Sequence, residues 1–259
     1  MEILTHIWKY GCFATFSKYN PDADSTTLAI VGMACLILCM ISAYLLGSIN
    51  FAIVLSKLRG EDIRDHGSQN AGTTNMLRTY GKRAAVVTLV GDFLKGTVAV
   101  IIGMMLFGMV GQYLSSLFAV LGHVFPIYYK FKGGKGIATA AGTILACEPI
   151  VLLILLAIFI IIVAFTKYVS LASITVAIFY PLILDRYYKI FPPYENYVSG
   201  IHIIFVFILA MVVFWKHYPN MKRLLNKTES KISFKKKSEP KDEKAEEEKD
   251  EKKSLHNED

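Results

Sequence analysis

The residues best suited to chemistry lie in a polar segment, DIRDHGSQNAGTTNMLRTYGKR, that runs from Asp62 to Arg83. Gly67 and Gly72 allow positive φ angles and a close approach of the backbone to a ligand. Four side chains offer hydrogen bonds to an oxyanion: Ser68, Asn70, Thr74 and Asn75. Arg78 adds a planar cation that can hold a phosphate with two N–H donors. The GxxxxGK(S/T) spacing of a nucleotide-binding P-loop is absent, so the segment predicts either another kind of phosphate loop or a polar connection.

A second glycine-rich segment, KFKGGKGIATA, runs from Lys130 to Ala140. Gly133, Gly134 and Gly136 surround Lys135 at the point where a short helix is expected to begin. Such a turn binds anions, because free N–H groups and the helix dipole point toward the ligand. A lone GGKG is also typical of a basic cap at a membrane surface. Together with the first segment, it favours an anion site.

Two further polar groups lie near the ends of apolar runs. Ser170 and Ser173 stand at the start of one run, and His217 and Asn220 follow the end of another. His217 and Asn220 are three residues apart, so they share a face if the helix continues that far. Serines in spans usually donate to the preceding turn, and a histidine at a membrane interface is usually structural, so each group also has a purely structural interpretation.

Asp92 and Lys95 are opposite charges inside an apolar run, three residues apart. Charges within a membrane are costly and usually pair with one another. We interpret them as a structural ion pair beneath the anion site, with ligand binding as the alternative.

Long apolar runs separate these polar segments and must position them. The chain has 259 residues, of which 54% are hydrophobic, and its mean hydropathy is +0.43, which is typical of a membrane protein. The apolar runs occupy approximately residues 28–56, 84–108, 110–129, 136–147, 149–166, 168–184 and 199–215. Glu148-Pro149 divides the fourth run from the fifth, because proline favours a helix start. We predict an all-α, polytopic membrane bundle of seven transmembrane helices with the fourth short; six is the alternative.

Basic residues in short loops predict the orientation of the bundle. They lie between runs 1 and 2, runs 3 and 4, and runs 5 and 6: Lys57, Arg59, Arg64, Arg78, Lys82, Arg83, Lys130, Lys132, Lys135 and Lys167. These loops belong in the cytoplasm of a plasma-membrane protein, with the N-terminus outside and the C-terminus inside. Residues 1–27 then form an N-terminal extracytoplasmic extension and residues 28–221 the membrane domain. Residues 222–259 are predicted to be a disordered, charged cytoplasmic tail.

Taken in order, the motifs resemble the acyl-phosphate:glycerol-3-phosphate acyltransferase family, often called PlsY. The matching pieces are GSI (47–49), DIR-x-x-GS-x-N-x-G-x-TN-x-x-R (62–78), D-x-x-KG (92–96), LGH-x-FP (121–126), F-x-GGKG-x-AT (131–139), YVSLAS (168–173) and H-x-x-N-x-x-R-L (217–224). Asn50 stands where the family usually has proline, and Gln69 where it usually has glycine. Lys227 replaces a common glycine before Thr228-Glu229.

The resemblance implies transfer of an acyl group from acyl phosphate to the sn-1 hydroxyl of glycerol 3-phosphate, giving lysophosphatidic acid, by a seven-helix enzyme that needs no metal or CoA. The implied catalytic residues are Ser68, Arg78, Lys135, His217 and Asn220. The implied substrate-binding residues are Asn70, Gly72, Thr74, Gly133, Gly134, Gly136 and Ser173. Within these sets, glycerol 3-phosphate is expected to contact the catalytic residues and Ser173, and acyl phosphate the other substrate-binding residues.

The implied partners are the two substrates and membrane lipid, with a transient contact to the soluble enzyme that forms acyl phosphate as a further candidate, and no nucleic acid. The HxxxxD pair of other glycerolipid acyltransferases is absent. The resemblance implies that a substrate phosphate takes the hydroxyl proton, with His217 as the alternative base. The competing function is a membrane transporter of a phosphorylated solute.

Overall fold

The computed structural model describes residues 2–192 and 200–232, apart from the side chains of Trp8 and Ile201. Within these ranges every regular element is helical, which confirms the all-α fold. The helices are α1 (Glu2–Tyr19), α2 (Ser25–Ser48), α3 (Phe51–Lys57), α4 (Thr73–Val124), α5 (Ile137–Cys147), α6 (Pro149–Thr166), α7 (Val169–Ile190), α8 (Ile201–Lys216) and α9 (Tyr218–Leu225), with short 3-10 turns at Ile63–Asp65 and Ile127–Tyr129.

The first predicted run, 28–56, is two helices rather than one. Helix α2 ends at Ser48 and α3 begins at Phe51. Between them Asn50 is fully buried; its Oδ1 accepts from the N–H of Ile53 (3.1 Å) and its Nδ2 donates to the carbonyl of Ala71 (3.3 Å). The side chain caps the N-terminus of α3, which explains why the apolar run breaks there.

Helix α4 is interrupted twice, at Gly81 and at Phe107–Gly108. A Cβ atom on Gly103 would lie 2.4 Å from the carbonyl oxygen of Gly111, whereas a straight helix separates residues eight apart by about 12 Å. The chain therefore reverses at Gly108, and residues 82–106 pack against 109–124 as two antiparallel arms, which correspond to predicted runs 84–108 and 110–129. The structure also begins α4 at Thr73, so only the first half of the Asp62–Arg83 segment is a loop.

The remaining helices follow the predicted runs closely. Helix α5 is short, with 11 residues, and α6 begins at Pro149 as the Glu148-Pro149 pair predicts. By length and apolar composition, four described helical stretches are able to cross a membrane, with both arms of α4 counted together as one stretch, and a fifth is added if the bent pair α8–α9 counts as one span. The chain is thus an integral membrane protein, while the count of seven spans and their orientation stay predictions.

The N-terminal extension contains a helix that packs on the bend of α4. Gly11 has φ 90°, and a Cβ atom there would lie 2.4 Å from the backbone nitrogen of Gly108. Phe13 stacks on Phe107 with ring centroids 4.8 Å apart. Since the polar segments adjoin the other ends of the two α4 arms, α1 lies at the end of the bundle opposite them.

The structure differs from the predicted tail in its first eleven residues. Helix α9 runs to Leu225, and the chain then folds back, so that the N–H of Ile232 donates to the carbonyl of Lys167 (2.9 Å). Side-chain contacts of this segment with α4 and α9, described below, explain its order despite its charged composition. Residues 233–259 of the predicted tail lie outside the described residues.

Candidate active site

The polar segments meet at one end of the bundle. They comprise the loop that leads into α4, the turn between α4 and α5, the start of α7, the bend between α8 and α9, and the segment 226–232. The N-termini of four helices, α4, α5, α7 and α9, and two glycine-containing turns are therefore brought to one place, although they are far apart in sequence.

A chain of hydrogen bonds links the predicted residues Lys135 and Asn220 to a carboxylate. The Lys135 ammonium donates to Asn220 Oδ1 at 2.6 Å. Asn220 Nδ2 donates to Glu229 Oε1 at 2.7 Å, and Arg223 Nε donates to Glu229 Oε2 at 2.8 Å. Glu229 is thus an anion held inside a cationic cluster, and its role was not predicted because the segment 226–232 was expected to be disordered.

Arg78 borders the same cluster. Its guanidinium donates to the carbonyl of Ser230 at 3.1 Å, and it interacts electrostatically with Glu229 and Arg223. The positive charge of Lys216 also interacts electrostatically with Lys135. Four cations among the described residues of this cluster therefore surround the single negative charge of Glu229, which leaves a site of net positive charge.

The burial of these groups changes their acidity. Burial lowers the pKa of Lys135 to about 8, with Glu229 opposing this shift and Arg223, Arg78 and Lys216 adding to it. Burial by itself raises the pKa of Glu229, but the hydrogen bonds from Arg223 and Asn220, together with the nearby Ser170 hydroxyl and the charge of Arg223, outweigh it and hold that pKa below its ordinary value. At neutral pH the cluster therefore contains an ammonium that binds anions and a fixed carboxylate.

His217 lies at the bend between α8 and α9, where the two helix axes differ by 52°. The condition for His217 and Asn220 to share a face of one helix is therefore not met, because α8 ends at Lys216 and α9 begins at Tyr218, with Pro219 in its first turn. His217 is buried, and its Nδ1 lies 2.8 Å from the carbonyl of Val213. A carbonyl only accepts, so Nδ1 carries the proton and Nε2 keeps its lone pair.

Ser68 lies on the exposed side of the first loop. Its backbone N–H donates to Asn75 Oδ1 at 2.9 Å, while Asn75 Nδ2 donates to the carbonyls of Ile63 and His66. Asn75 is therefore used to shape the loop rather than to face a ligand, and the contacts of Ser68 among the described residues are with this loop rather than with Lys135. A Cβ atom on Gly67 would lie 2.3 Å from Asn75 Oδ1, so this position requires glycine.

Asn70, Gly72 and Thr74 lie where this loop enters α4. Gly72 is the N-cap residue and supplies no side-chain cap. The first N–H groups of a helix have no partner within it, so those of Thr73 and Thr74 are suited to an anion. The partly buried Asn70 lies beside them, with its Nδ2 3.0 Å from a Cβ atom built on Gly72.

The turn formed by Gly133, Gly134 and Gly136 is packed too closely for side chains. A Cβ atom on Gly133 would lie 2.0 Å from the carbonyl oxygen of His123, and one on Gly134 would lie 2.3 Å from that of Ala71. Gly136 has φ 83° and begins α5. The two glycine-containing segments therefore touch each other through backbone atoms.

The expected ion pair beneath the site is present. Lys95 Nζ lies 2.7 Å from Asp92 Oδ1, and both side chains are nearly inaccessible. The ammonium also lies 2.9 Å from His123 Nδ1, a contact that was not predicted because the two residues belong to different arms of α4.

Ser173 begins the second turn of α7 and is buried. Its hydroxyl donates to the carbonyl of Val169 at 2.8 Å, as serines in spans usually do. Ser170, one turn earlier, is the serine that acts on Glu229. Ser173 therefore lies beside the cluster without a direct hydrogen bond to Lys135 or Asn220 among the described residues.

Comparison with known proteins agrees with the resemblance seen in the sequence. A family model described as glycerol-3-phosphate acyltransferase matches residues 37–227. The glycerol-3-phosphate acyltransferase of Bacillus subtilis (strain 168) is 41% identical over 198 residues, which cover 76% of this chain and 97% of that protein.

Two solved structures of PlsY, an integral membrane glycerol 3-phosphate acyltransferase, have the same fold. The glycerol 3-phosphate form is 36% identical with a TM-score of 0.69 and covers 76% of this chain and 96% of that one. The lysophosphatidic acid form is 35% identical with a TM-score of 0.67 and covers 77% and 96%. The family model covers α3 to α9, the second half of α2 and the four cations of the cluster, and the chain belongs to the glycerol-3-phosphate acyltransferase family of integral membrane enzymes.

Proposed function

We propose that this enzyme uses acyl phosphate as its donor and transfers the acyl group to the sn-1 hydroxyl of glycerol 3-phosphate. The product is lysophosphatidic acid, and inorganic phosphate leaves. The observation that carries the proposal is the cationic cluster of Lys135, Arg78, Arg223 and Lys216 around Glu229, next to two backbone turns suited to anions. Two phosphate groups need two such places, and a transporter has no comparable support.

Glycerol 3-phosphate is assigned to the cationic cluster. Lys135 and Arg78 bind its phosphate, and Asn220 holds Lys135 in place through the 2.6 Å contact. Ser68, Ser173 and His217 are assigned to the glycerol part of the same substrate. The charge-assisted contacts fix the substrate as well as stabilising it, so that the hydroxyl is held at the acyl carbon.

Acyl phosphate is assigned to the backbone turns. The N–H groups of Thr73, Thr74 and Gly136 bind its phosphate, with Asn70 as a side-chain donor, and the acyl chain lies among the apolar helices. Gly72, Gly133 and Gly134, whose own N–H groups donate to the carbonyls of Asn70, Val124 and His123, let the backbone approach the phosphate closely. These donors belong to the turn and helix ends, so they need no rearrangement when charge develops on the leaving phosphate.

The reaction forms one carbon–oxygen bond and breaks another. The sn-1 oxygen attacks the acyl carbon, the bond from that carbon to the phosphate oxygen breaks, and the hydroxyl proton passes to a base. A substrate phosphate oxygen can accept it directly. His217 is the alternative, since its Nε2 lone pair is left available by the Nδ1 bond to Val213 (2.8 Å).

The variant His217→Gln distinguishes these two bases. Glutamine keeps a polar contact at this position but cannot take up the proton. Retention of a substantial part of kcat would exclude His217 as an obligatory base, whereas a loss of about 100-fold or more would assign the proton to it.

We place the site on the cytoplasmic side of a plasma-membrane protein, with the N-terminus outside. The basic loop residues lie at the same end of the bundle as the site, and α1 lies at the opposite end, which supports this arrangement. Single cysteines introduced at Lys132 and at Asp22, labelled from either side of sealed vesicles, test it.

The activity itself is tested with purified protein in detergent. Acyl phosphate and labelled glycerol 3-phosphate are expected to give lysophosphatidic acid and phosphate in equal amounts, while acyl-CoA gives no product. Uptake of glycerol 3-phosphate into vesicles without any lysophosphatidic acid would contradict the proposal.

A further inference from the structure

Three buried polar side chains lie directly beneath the two backbone turns and take no part in the reaction as proposed. Asp92, Lys95 and His123 have side-chain exposures of 1%, 4% and 4%. They join the two arms of α4 to the end of α2, because Lys95 also contacts the carbonyl of Ile49. The opposite charges of Asp92 and Lys95 neutralise each other, so this pair could be buried without His123. The presence of the histidine therefore needs a separate explanation.

Lys95 fixes the tautomer of His123. An ammonium has three N–H donors and no acceptor. Those of Lys95 reach the Ile49 carbonyl at 2.6 Å, Asp92 Oδ1 at 2.7 Å and His123 Nδ1 at 2.9 Å. Nδ1 therefore accepts from the charged Lys95, and the neutral imidazole carries its proton on Nε2. The other possible partner of Nδ1, Asp92 Oδ1, is farther away at 3.5 Å.

Nε2 faces the place where the two turns meet. A Cβ atom on Gly134 would lie 2.3 Å from His123 Nε2 and 2.3 Å from the carbonyl oxygen of Ala71. The N–H of Gly134 donates to the carbonyl of His123 at 3.2 Å. The carbonyl of Ala71 accepts from Asn50 at 3.3 Å. His123 therefore contacts the turn 133–136 through both its ring and its backbone, and its Nε2 and the Ala71 carbonyl both border Gly134.

We propose that His123, held in one tautomer by Lys95 and Asp92, is a positioning residue that sets the spacing between the segment Asn70–Gly72 and the turn Gly133–Gly136. Under the proposed function, on which this inference rests, these two elements bind acyl phosphate. The histidine acts through the backbone of the turn, so its loss weakens the binding of acyl phosphate. Glycerol 3-phosphate is spared because Lys135, although it belongs to the same turn, is held separately by Asn220 at 2.6 Å.

The variant His123→Phe tests this role, because it keeps a planar ring and removes both nitrogens. We expect the KM for acyl phosphate to rise about tenfold, which corresponds to the free energy of about one hydrogen bond. The KM for glycerol 3-phosphate should change by less than about twofold on the same scale. Tyr180→Phe is the matched control: it removes a buried hydroxyl for which the described residues provide no hydrogen-bond partner and should leave both KM values unchanged.

The double variant Asp92→Leu/Lys95→Met keeps the test informative if His123→Phe fails to fold. Replacing a buried ion pair by apolar residues of similar size usually preserves folding. It also removes the Lys95 donor that holds His123 in one tautomer. The same selective rise in KM for acyl phosphate is expected, with the thermal unfolding midpoint retained. A purely structural pair predicts no kinetic change.

Any other pattern in the variants that fold overturns the inference, whether both KM values stay constant or both rise together. Loss of folding in His123→Phe and the double variant alike also overturns it, because the cluster would then be structural. The proposed function fails separately, if the unaltered protein forms no lysophosphatidic acid from acyl phosphate in the same assay.

Discussion

Lys135 gives the most direct test of the cationic cluster, through the pH dependence of the reaction. Its ammonium is partly buried beside Asn220, and this burial lowers its pKa to about 8. The charged form binds phosphate and is lost as the pH rises through that value. We therefore expect kcat/KM for glycerol 3-phosphate, which reports the free enzyme, to fall on the alkaline side.

The size of the fall follows from the pKa. A group that titrates at about 8 is roughly 91% protonated at pH 7 and roughly 9% at pH 9, so kcat/KM falls about tenfold over this interval. Lys135→Arg stays charged throughout, so its profile is flat, at a lower level because the 2.6 Å contact with Asn220 is disturbed. Lys135→Gln is also flat and loses about 10- to 150-fold, the equivalent of about 1.5–3 kcal/mol for a charged hydrogen bond.

Initial rates of lysophosphatidic acid formation, measured at low glycerol 3-phosphate and constant ionic strength from pH 7 to 9, provide the assay. The substrate phosphate stays a dianion in this range, since its second pKa is about 6, and hydrolysis of acyl phosphate without enzyme is subtracted. A flat profile for the unaltered protein would refute the assignment. So would a tenfold fall that persists in Lys135→Arg.

Three further results are expected. Gln69 has φ 58°, so Gln69→Gly should raise the unfolding midpoint in detergent by about 1–3 °C by relieving left-handed strain, whereas Gln69→Ala should leave it unchanged. Gly134→Ala should raise the KM for acyl phosphate far more than Gly72→Ala, because its Cβ would lie 2.3 Å from two fixed groups while that of Gly72 meets Asn70 Nδ2 at 3.0 Å; equal effects would contradict the packing argument. Glu229→Gln should lower the midpoint by about 2–4 °C, because it removes an ion pair with Arg223 that contributes about 1 kcal/mol. Asp185→Asn, which breaks the more exposed ion pair with Lys189, is the control and should lower the midpoint less.

Local sequence signals predicted much of this molecule. Proline at position 149 marked the start of α6, and the three-residue spacing of Asp92 and Lys95 predicted their ion pair. The two departures from glycine seen in the resemblance, Gln69 and Lys227, both have positive φ, at 58° and 57°. These features depend on neighbouring residues along the chain, so the sequence pattern carries them directly.

Features that depend on contacts between distant segments could not be predicted in this way. The break between α2 and α3 lies inside an apolar run, because the Asn50 side chain donates a hydrogen bond to the carbonyl of Ala71. Lys135 and Asn220 are 85 residues apart, and no periodicity relates them. The segment around Glu229 has the composition of a disordered tail, yet its order comes from partners on α4, α7 and α9. Composition indicates whether a segment can fold alone, whereas the order of segment 226–232 depends on its contacts with other helices.

The segment 226–232 also determines where this protein can be cut or fused. A truncation after Asn226 would remove Glu229 and Ser230, and with them the contacts to Asn220, Arg223 and Arg78. A reporter attached beyond Ile232 would leave these contacts in place. At the other end of the chain, α1 packs against the Gly108 bend, far from the cationic cluster, so an affinity tag placed before it stays remote from the chemistry.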